Sequence, residues 1–515
     1  MMGCVGGRAF AMLTAASLLV IGSSPDVAQV AEGPWQETRF RTGCDPGPFE
    51  PPAPPEHLQT AYPPLGTVAT PAALRVDLAT DSASETHPIL GAGFNFEHGL
   101  WSCPEFRGLF RTEILDPFKP SIARIDTGLL PAAPADLPAA ALGPSVYVSV
   151  LSSAPYAESW RFFRRLNRAG VKIVLGVWGG PAQFTDDGTR LGVLKPAHYD
   201  DYVEYVATLV DFLVHQQNVQ IWATTIANEP DGGDGNQIPP AGLAYIAAQL
   251  APRIAADGVK LYGPDTANAA DALLYLPPLL DDPVVAGNLA FVGFHQYYAS
   301  PDVGTLVNFV RARRPDLPVV ATEYTSFGFG DLDAGQEANA QIGFALDIAS
   351  TVLAHYRSGV DAAIYWDAVD YLQPGHDAIT KWGLLRGPAD NFQRRLRYYG
   401  LLQILAYLQP GSRVLNQRQE GASALQSLAI RTPDGVPVIF LINQDFSPTD
   451  LSLTLTGPDQ GAYPDLVVTR TSRGHLGEAL GWVRLHAGDG SLTLPPRSIT
   501  TLFPAGTAPQ GDDSP

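Results

Sequence analysis

Hydrophobic positions along the chain fall into two textures. Between about residues 88 and 409, short apolar runs alternate with stretches of helical periodicity. The runs are 89–96, 121–126, 171–178, 219–228, 259–265, 289–298, 317–324 and 361–368. Between them, Tyr202, Tyr205, Val206, Leu209, Val210 and Leu213 recur on one face of a helix. The stretch 335–359 repeats this pattern and closes at Gly359, a residue suited to a left-handed helix end. Strand and helix alternate eight times, which predicts a (β/α)₈ TIM barrel over 88–409. Its weakest unit is the Ala/Pro-rich connection 127–156, expected to be a long loop. After a closing helix the pattern turns all-β, with short alternating runs separated by turn residues, and 410–505 reads as a β-sandwich. Upstream, 31–73 is a proline-rich arm, and 74–87 opens on an alternating strand, Leu74–Thr80, that could join the sandwich. Residues 506–515 read as a flexible tail.

Composition narrows the partners. The 515-residue chain is 45% hydrophobic and 17% charged, which suits large buried cores. A formal net charge of -19, with no basic stripe, disfavours a nucleic-acid backbone as partner, and no nucleic-acid partner is expected. Arg8 ahead of the apolar run 9–22, with small residues up to Ala28 and Ala31, marks 1–30 as an export signal. A secreted or extracytoplasmic protein, free of the membrane once the signal is cleaved, is the expectation; an uncleaved anchor is the alternative. Cys4 falls in the signal, leaving Cys44 and Cys103 as candidates for one disulfide. No Cys or His cluster has metal-ligand spacing, so neither a metal nor a cofactor is expected. The stretch 231–237, DGGDGNQ, lacks the distal glutamate of a calcium loop and reads as a glycine-rich turn.

Barrels of this kind carry their chemistry where the strands end. The fourth run ends in Asn228 and Glu229, and the seventh contains Glu323. The sixth ends in His295, Tyr297 and Tyr298, the eighth in Trp366 and Asp367, the third in Trp178, and the second carries Arg124. Glu97 and His98 follow the first strand, at the expected rim of the pocket. Two glutamates on opposite walls can flank a glycosidic bond, one as general acid and one as carboxylate.

These motifs resemble those of clan A glycoside hydrolases. IANEP around Glu229 and ATEYTS around Glu323 look like the acid/base and nucleophile segments of that clan. The resemblance spans about 88–505 and is greatest to family 30, with families 39 and 5 as close competitors. It implies a retaining β-glycosidase acting on a carbohydrate substrate, with Glu229 as acid/base and Glu323 as nucleophile. It further implies that Asn228 binds the sugar 2-hydroxyl and that Arg124 keeps the nucleophile ionised. His295 and Tyr297 would line the site, with Trp366 as the floor of the sugar subsite; Trp178, Glu97 and His98 complete the expected contacts. The mechanism requires a raised pKa at Glu229 and an anionic Glu323. A non-catalytic carbohydrate-binding protein and a transglycosylase are the competing readings of the same scaffold. Sequence leaves the oligomeric state open.

Overall fold

The computed structural model describes residues 65–79, 85–126, 138–153, 156–232, 234–326, 338–371 and 381–505. The expected signal 1–30, most of the proline-rich arm, Cys44 and the tail 506–515 lie outside them. Two strands, β1 (Thr70–Asp77) and β2 (Glu85–Pro88), precede the barrel strands β3 (Gly91–Glu97), β4 (Ile122–Asp126), β5 (Lys172–Gly176) and β6 (Ile221–Thr224). The barrel is completed by β7 (Lys260–Thr266), β8 (Leu289–His295), β9 (Val319–Tyr324) and β10 (Ala362–Tyr365). These eight strands pair in parallel and close in the order β10-β3-β4-β5-β6-β7-β8-β9.

Both faces of each barrel strand are buried, and this is why the runs read as continuously apolar rather than alternating. Ile122 points into the lumen with Val174, Ala223, Phe291, Val320 and Ile364, whereas Ala123 and Ile125 pack outward against the helices. Arg124, two residues on from Ile122, is therefore directed inward above that apolar plug. The helix Tyr199–Asp211 buries Tyr202, Tyr205, Val206, Leu209 and Val210. The connection expected to be a loop holds a helix, Pro144–Leu151. Proline at its first position has no N–H to satisfy, and Tyr147 packs edge-on to Tyr205 with ring centroids 5.2 Å apart.

Beyond the helix Leu396–Leu405 come β11 (Arg413–Leu415), β12 (Gln417–Gly421), β13 (Leu425–Arg431), β14 (Pro437–Asn443) and β15 (Thr449–Thr456). They are followed by β16 (Asp465–Ser472), β17 (His475–Arg484), β18 (Asp489–Leu494) and β19 (Ser498–Pro504). The strands form a four-stranded sheet, β12-β1-β15-β18, and a seven-stranded sheet, β17-β16-β19-β14-β13-β11-β2. The stretch 490–503 is divided between two strands, because Pro495 and Pro496 cannot donate to a ladder and the chain changes sheets there.

β14 shows how sandwich and barrel join. All seven of its residues are buried. Ile439 and Leu441 enter the sandwich core with Leu74, Val76 and Leu453. Val438, Phe440 and Ile442 share the barrel's core, where Tyr407 lies 6.2 Å from Phe440 and 5.6 Å from Phe503 between ring centroids.

Candidate active site

Glu229 and Glu323 both stand at the C-terminal mouth of the barrel. Beyond β6 the chain is pinned on either side: the Asn228 amide donates to Val177 O at 2.6 Å and the Glu229 amide to Asp265 O at 2.9 Å. Glu229 itself adopts φ +40, a left-handed conformation that a non-glycine residue holds only when its surroundings fix it. The glycine-rich turn then closes over the carboxylate. Asp234 N–H donates to Glu229 Oε2 at 2.7 Å, and Asn228 Nδ2 donates to Asp234 O at 2.7 Å. Gly235 lies so close that a Cβ there would stand 1.8 Å from Asn228 O.

Arg124 organises the floor beneath the two glutamates. Fully buried, it donates from Nη1 to Asn95 Oδ1 (2.8 Å) and Glu323 Oε2 (3.1 Å). Nη2 donates to Asn228 Oδ1 (2.5 Å) and Asp265 Oδ2 (2.9 Å), and Nε to the Tyr262 hydroxyl (3.1 Å). The Trp178 ring covers its guanidinium at 4.4 Å. All the fork's directions are thereby used, an arrangement lysine could not reproduce. Tyr297 donates its hydroxyl to Glu323 Oε1. His295 lies between the acids, with Nδ1 2.7 Å from Glu229 Oε1 and 3.8 Å from Glu323 Oε2, and Nε2 3.4 Å from Asp265 Oδ1. Carboxylate oxygens of Glu229 and Glu323 come within 4.8 Å of each other.

Charge in this cluster is distributed against expectation. Burial lowers the basicity of His295, but Glu323, Asp265 and its hydrogen bonds to Asp265 and Glu229 outweigh that and push it up to about 10. Burial raises the Asp265 carboxyl, yet Arg124 and His295 hold it well below the usual range. For Glu229, too, burial raises the pKa, while the hydrogen bond and charge of His295 and the Asp234 N–H bring it below its ordinary value. At Glu323 burial dominates: His295 and Arg124 oppose it, Glu229 and Asp265 add to it, and the carboxyl is pushed up to about 7. The expected order, high at Glu229 and low at Glu323, is thus reversed. Burial is the first cause, and at Glu323 the available cations do not offset it. Arg124 and His295 face three carboxylates, and the two acids in closest contact with them take the charge. Groups this close share protons as one system, so the last proton belongs to the cluster more than to one residue.

The other expected contacts divide. Trp366 and Trp178 form one aromatic wall, ring centroids 5.7 Å apart, with Tyr371 edge-on behind Trp366 at 6.3 Å. Asn228 has its oxygen on Arg124 and one amide direction on Asp234, so a sugar hydroxyl would have to use the remaining N–H. Glu97 does not sit on a rim: it is buried, and burial pushes its carboxyl up to about 7 against the opposing N–H groups of Gly99 and Leu100. His98 opens the 3₁₀ turn His98–Ser102, and its side chain lies outside the described structure. Trp101 stacks on Phe162 at 5.2 Å, and Asp370 pairs with Arg395 at 2.5 Å. Each is thus engaged within the protein. Cys103 is buried and disulfide-bonded; its expected partner, Cys44, lies outside the described residues.

Strand-end reading passed over Asp265, Asn95 and Tyr262, which complete the Arg124 shell. By distance alone, Glu229, His295 and Glu323 could hold an ion, as could the more exposed Asp211, His215 and Asp257. In the first set, hydrogen bonds among the residues and the adjacent guanidinium already occupy that role. In the second, His215 is bonded to Asp257 at 2.8 Å.

The sequence matches no protein-family model and no curated protein. Solved structures share its fold. A family 30 endoxylanase from Clostridium papyrosolvens superposes with a TM-score of 0.64 at 17% identity, over 84% of this chain and 99% of that one. An endo-β-1,6-glucanase gives 0.59 at 15% identity, over 86% and 95%. A glucosidase from Croceicoccus marinus gives 0.58 at 15%, over 85% and 99%. At these identities the likeness is one of fold, and it agrees with the family 30 resemblance of the motifs.

Proposed function

We propose that this protein is an exported, retaining glycoside hydrolase that cleaves β-linked glycans or oligosaccharides by double displacement. The observation that carries the reading is the gap between the two glutamates. Oxygens that come within 4.8 Å of each other favour the roughly 5–5.5 Å carboxyl spacing of retention over the roughly 6.5–9.5 Å of inversion. Glu323, oriented by Arg124 and Tyr297, attacks the anomeric carbon as the glycosidic C–O bond breaks, forming a glycosyl ester. Glu229 protonates the leaving oxygen. Its proton is one hydrogen bond away: transfer from His295 Nδ1 to Glu229 Oε1, across 2.7 Å, turns Glu229 into the acid and leaves a neutral imidazole. Once the ester forms, the charge of Glu323 is gone and Glu229 is ionised. Glu229 then takes a proton from water, and the hydroxyl attacks the anomeric carbon to release Glu323. The Trp178–Trp366 wall offers an apolar face for the sugar ring. Export is read from the N-terminal signal pattern.

An endoxylanase and an endo-β-1,6-glucanase among the similar folds make xylan and β-1,6-glucan the first polymers to try, beside aryl β-glycosides. Hydrolysis should give a product whose first anomer, seen by ¹H NMR, is β. Glu323→Ala should lose turnover by roughly three orders of magnitude or more. Glu229→Ala should spare substrates with good leaving groups and respond to added azide. A first product of α configuration would refute retention, and saturable sugar binding without turnover by the wild type would refute the enzyme.

A further inference from the structure

The face of the barrel opposite the glutamates carries a cavity of about 370 Å³, set where β4 and β5 begin. Arg111, Lys119 and Arg165 line it, over an apolar floor of Leu115, Pro120 and Val171. Three cations around one space run against a composition of 52 acidic and 33 basic residues. The one carboxylate present, Asp116, is already taken, accepting from Arg111 Nε at 3.0 Å. Lys119 and Arg165 have no ion-pair partner among the described residues.

Two further features set the cavity apart. Lys119 ends the turn Asp116–Phe118 at φ 48, ψ 52, a left-handed position where glycine or asparagine is the easier choice. Arg165 belongs to another element, the last turn of the helix Ala157–Arg168. Cations at a helix C-terminus complement its dipole, but that does not account for a lysine on a separate turn lining the same space. The cavity's size falls within the range of small-ligand sites.

We propose that this cavity binds the oxyanion of a small anion, either free phosphate or the phosphate group of a compact ester. The guanidinium fork of Arg165 matches two oxygens, Arg111 adds its Nη groups while its Nε stays on Asp116, Lys119 supplies a point charge, and the apolar floor accepts the carbon body of an ester. The site is independent of the glycosidase reading, and its occupant leaves the catalytic mouth open.

Isothermal titration of the full protein with inorganic phosphate, glycerol 3-phosphate and glycerol tests it. Saturable one-to-one binding of the two anions, none of glycerol, and weakening on addition of salt are expected. Tighter binding of glycerol 3-phosphate assigns the site to an ester, equal binding to free phosphate. Lys119→Gly, which suits the local backbone, and Arg165→Gln should each weaken binding about tenfold or more with an unchanged melting temperature. Should Arg165→Gln prove unstable, Lys119→Gly alone decides. Glu323→Gln should bind as the wild type does, which places the ligand away from the glutamates. Unchanged affinity in Lys119→Gly, or no saturable binding of either anion, would overturn the proposal.

Discussion

A buried imidazole that sits among three carboxylates must influence how the site titrates. His295 lowers the pKa of Glu323, and burial still pushes that carboxyl up to about 7. A nucleophile must be ionised, so kcat/KM should fall as pH drops through about 7, not through the ordinary carboxylate range. The alkaline limb should follow loss of the cluster's proton, toward the value of about 10 at His295. In His295→Ala the opposing cation is gone, Glu323 rises further and the acid limb moves to higher pH. An acid limb near 4.5 in the wild type would show that the glutamate pair titrates apart from its surroundings. His355 offers the contrasting case. It is fully buried against Phe294 and Tyr324, its ring nitrogens have no hydrogen-bond partner among the described residues, and burial pulls its pKa down to about 3. A depressed folded-state value means full stability above about 6.5, lost progressively as pH falls toward 3. Over that range the loss is on the order of 5 kcal/mol. Replacing this histidine with leucine should move the acid-unfolding midpoint, followed by circular dichroism, to lower pH while leaving stability at pH 8 within about 2 kcal/mol.

At the scale of elements, the turn after β6 is as much a part of the site as the strand. Gly235 is required by close approach: a methyl group there would collide with the Asn228 carbonyl and displace the Asp234 N–H from Glu229. Gly235→Ala is therefore expected to cut kcat by about tenfold or more and to lower the melting temperature as well, since the methyl meets buried backbone. Equal activity would show that the turn does not position the acid. Both glutamates were legible in the sequence because each breaks a buried apolar strand with a charge at its open end. Asp265 closes its strand in the same way, so the same reading extended to every strand end finds it. Asn95 was a lone amide inside an apolar run, and Tyr262 was indistinguishable from core; their roles exist only through Arg124, which no spacing reveals. The reversed protonation was out of reach for the same reason, being a property of the assembled charges. β11 and β12 escaped notice because three and five residues are too few to set a period, and β12 is largely exposed.

On the scale of the whole molecule, sequence order and spatial order part company. β1, before the barrel, lies inside the four-stranded sheet, antiparallel to β12 and parallel to β15. β2 lines the edge of the seven-stranded sheet beside β11. The sandwich is thus closed by segments from both sides of the barrel, and β14 is buried between the two cores. Such a layout predicts one cooperative unfolding transition rather than two. Phe440→Ala tests it most directly. The side chain is fully buried on the barrel side of the sandwich, and its loss should cost about 3–5 kcal/mol. If the two parts unfold together, that cost lowers a single melting temperature seen alike by near-ultraviolet dichroism and by loss of turnover. Truncation after Asp77 makes the complementary test. Removing β1 leaves β12 and β15 without their shared neighbour and strips Leu74 and Val76 from the sandwich core, so the shortened chain should lose barrel activity at temperatures the intact protein tolerates. A shortened chain that keeps wild-type activity and melting temperature would mean that the barrel stands without its side sheet, and that the strand from upstream closes the sandwich without supporting the site.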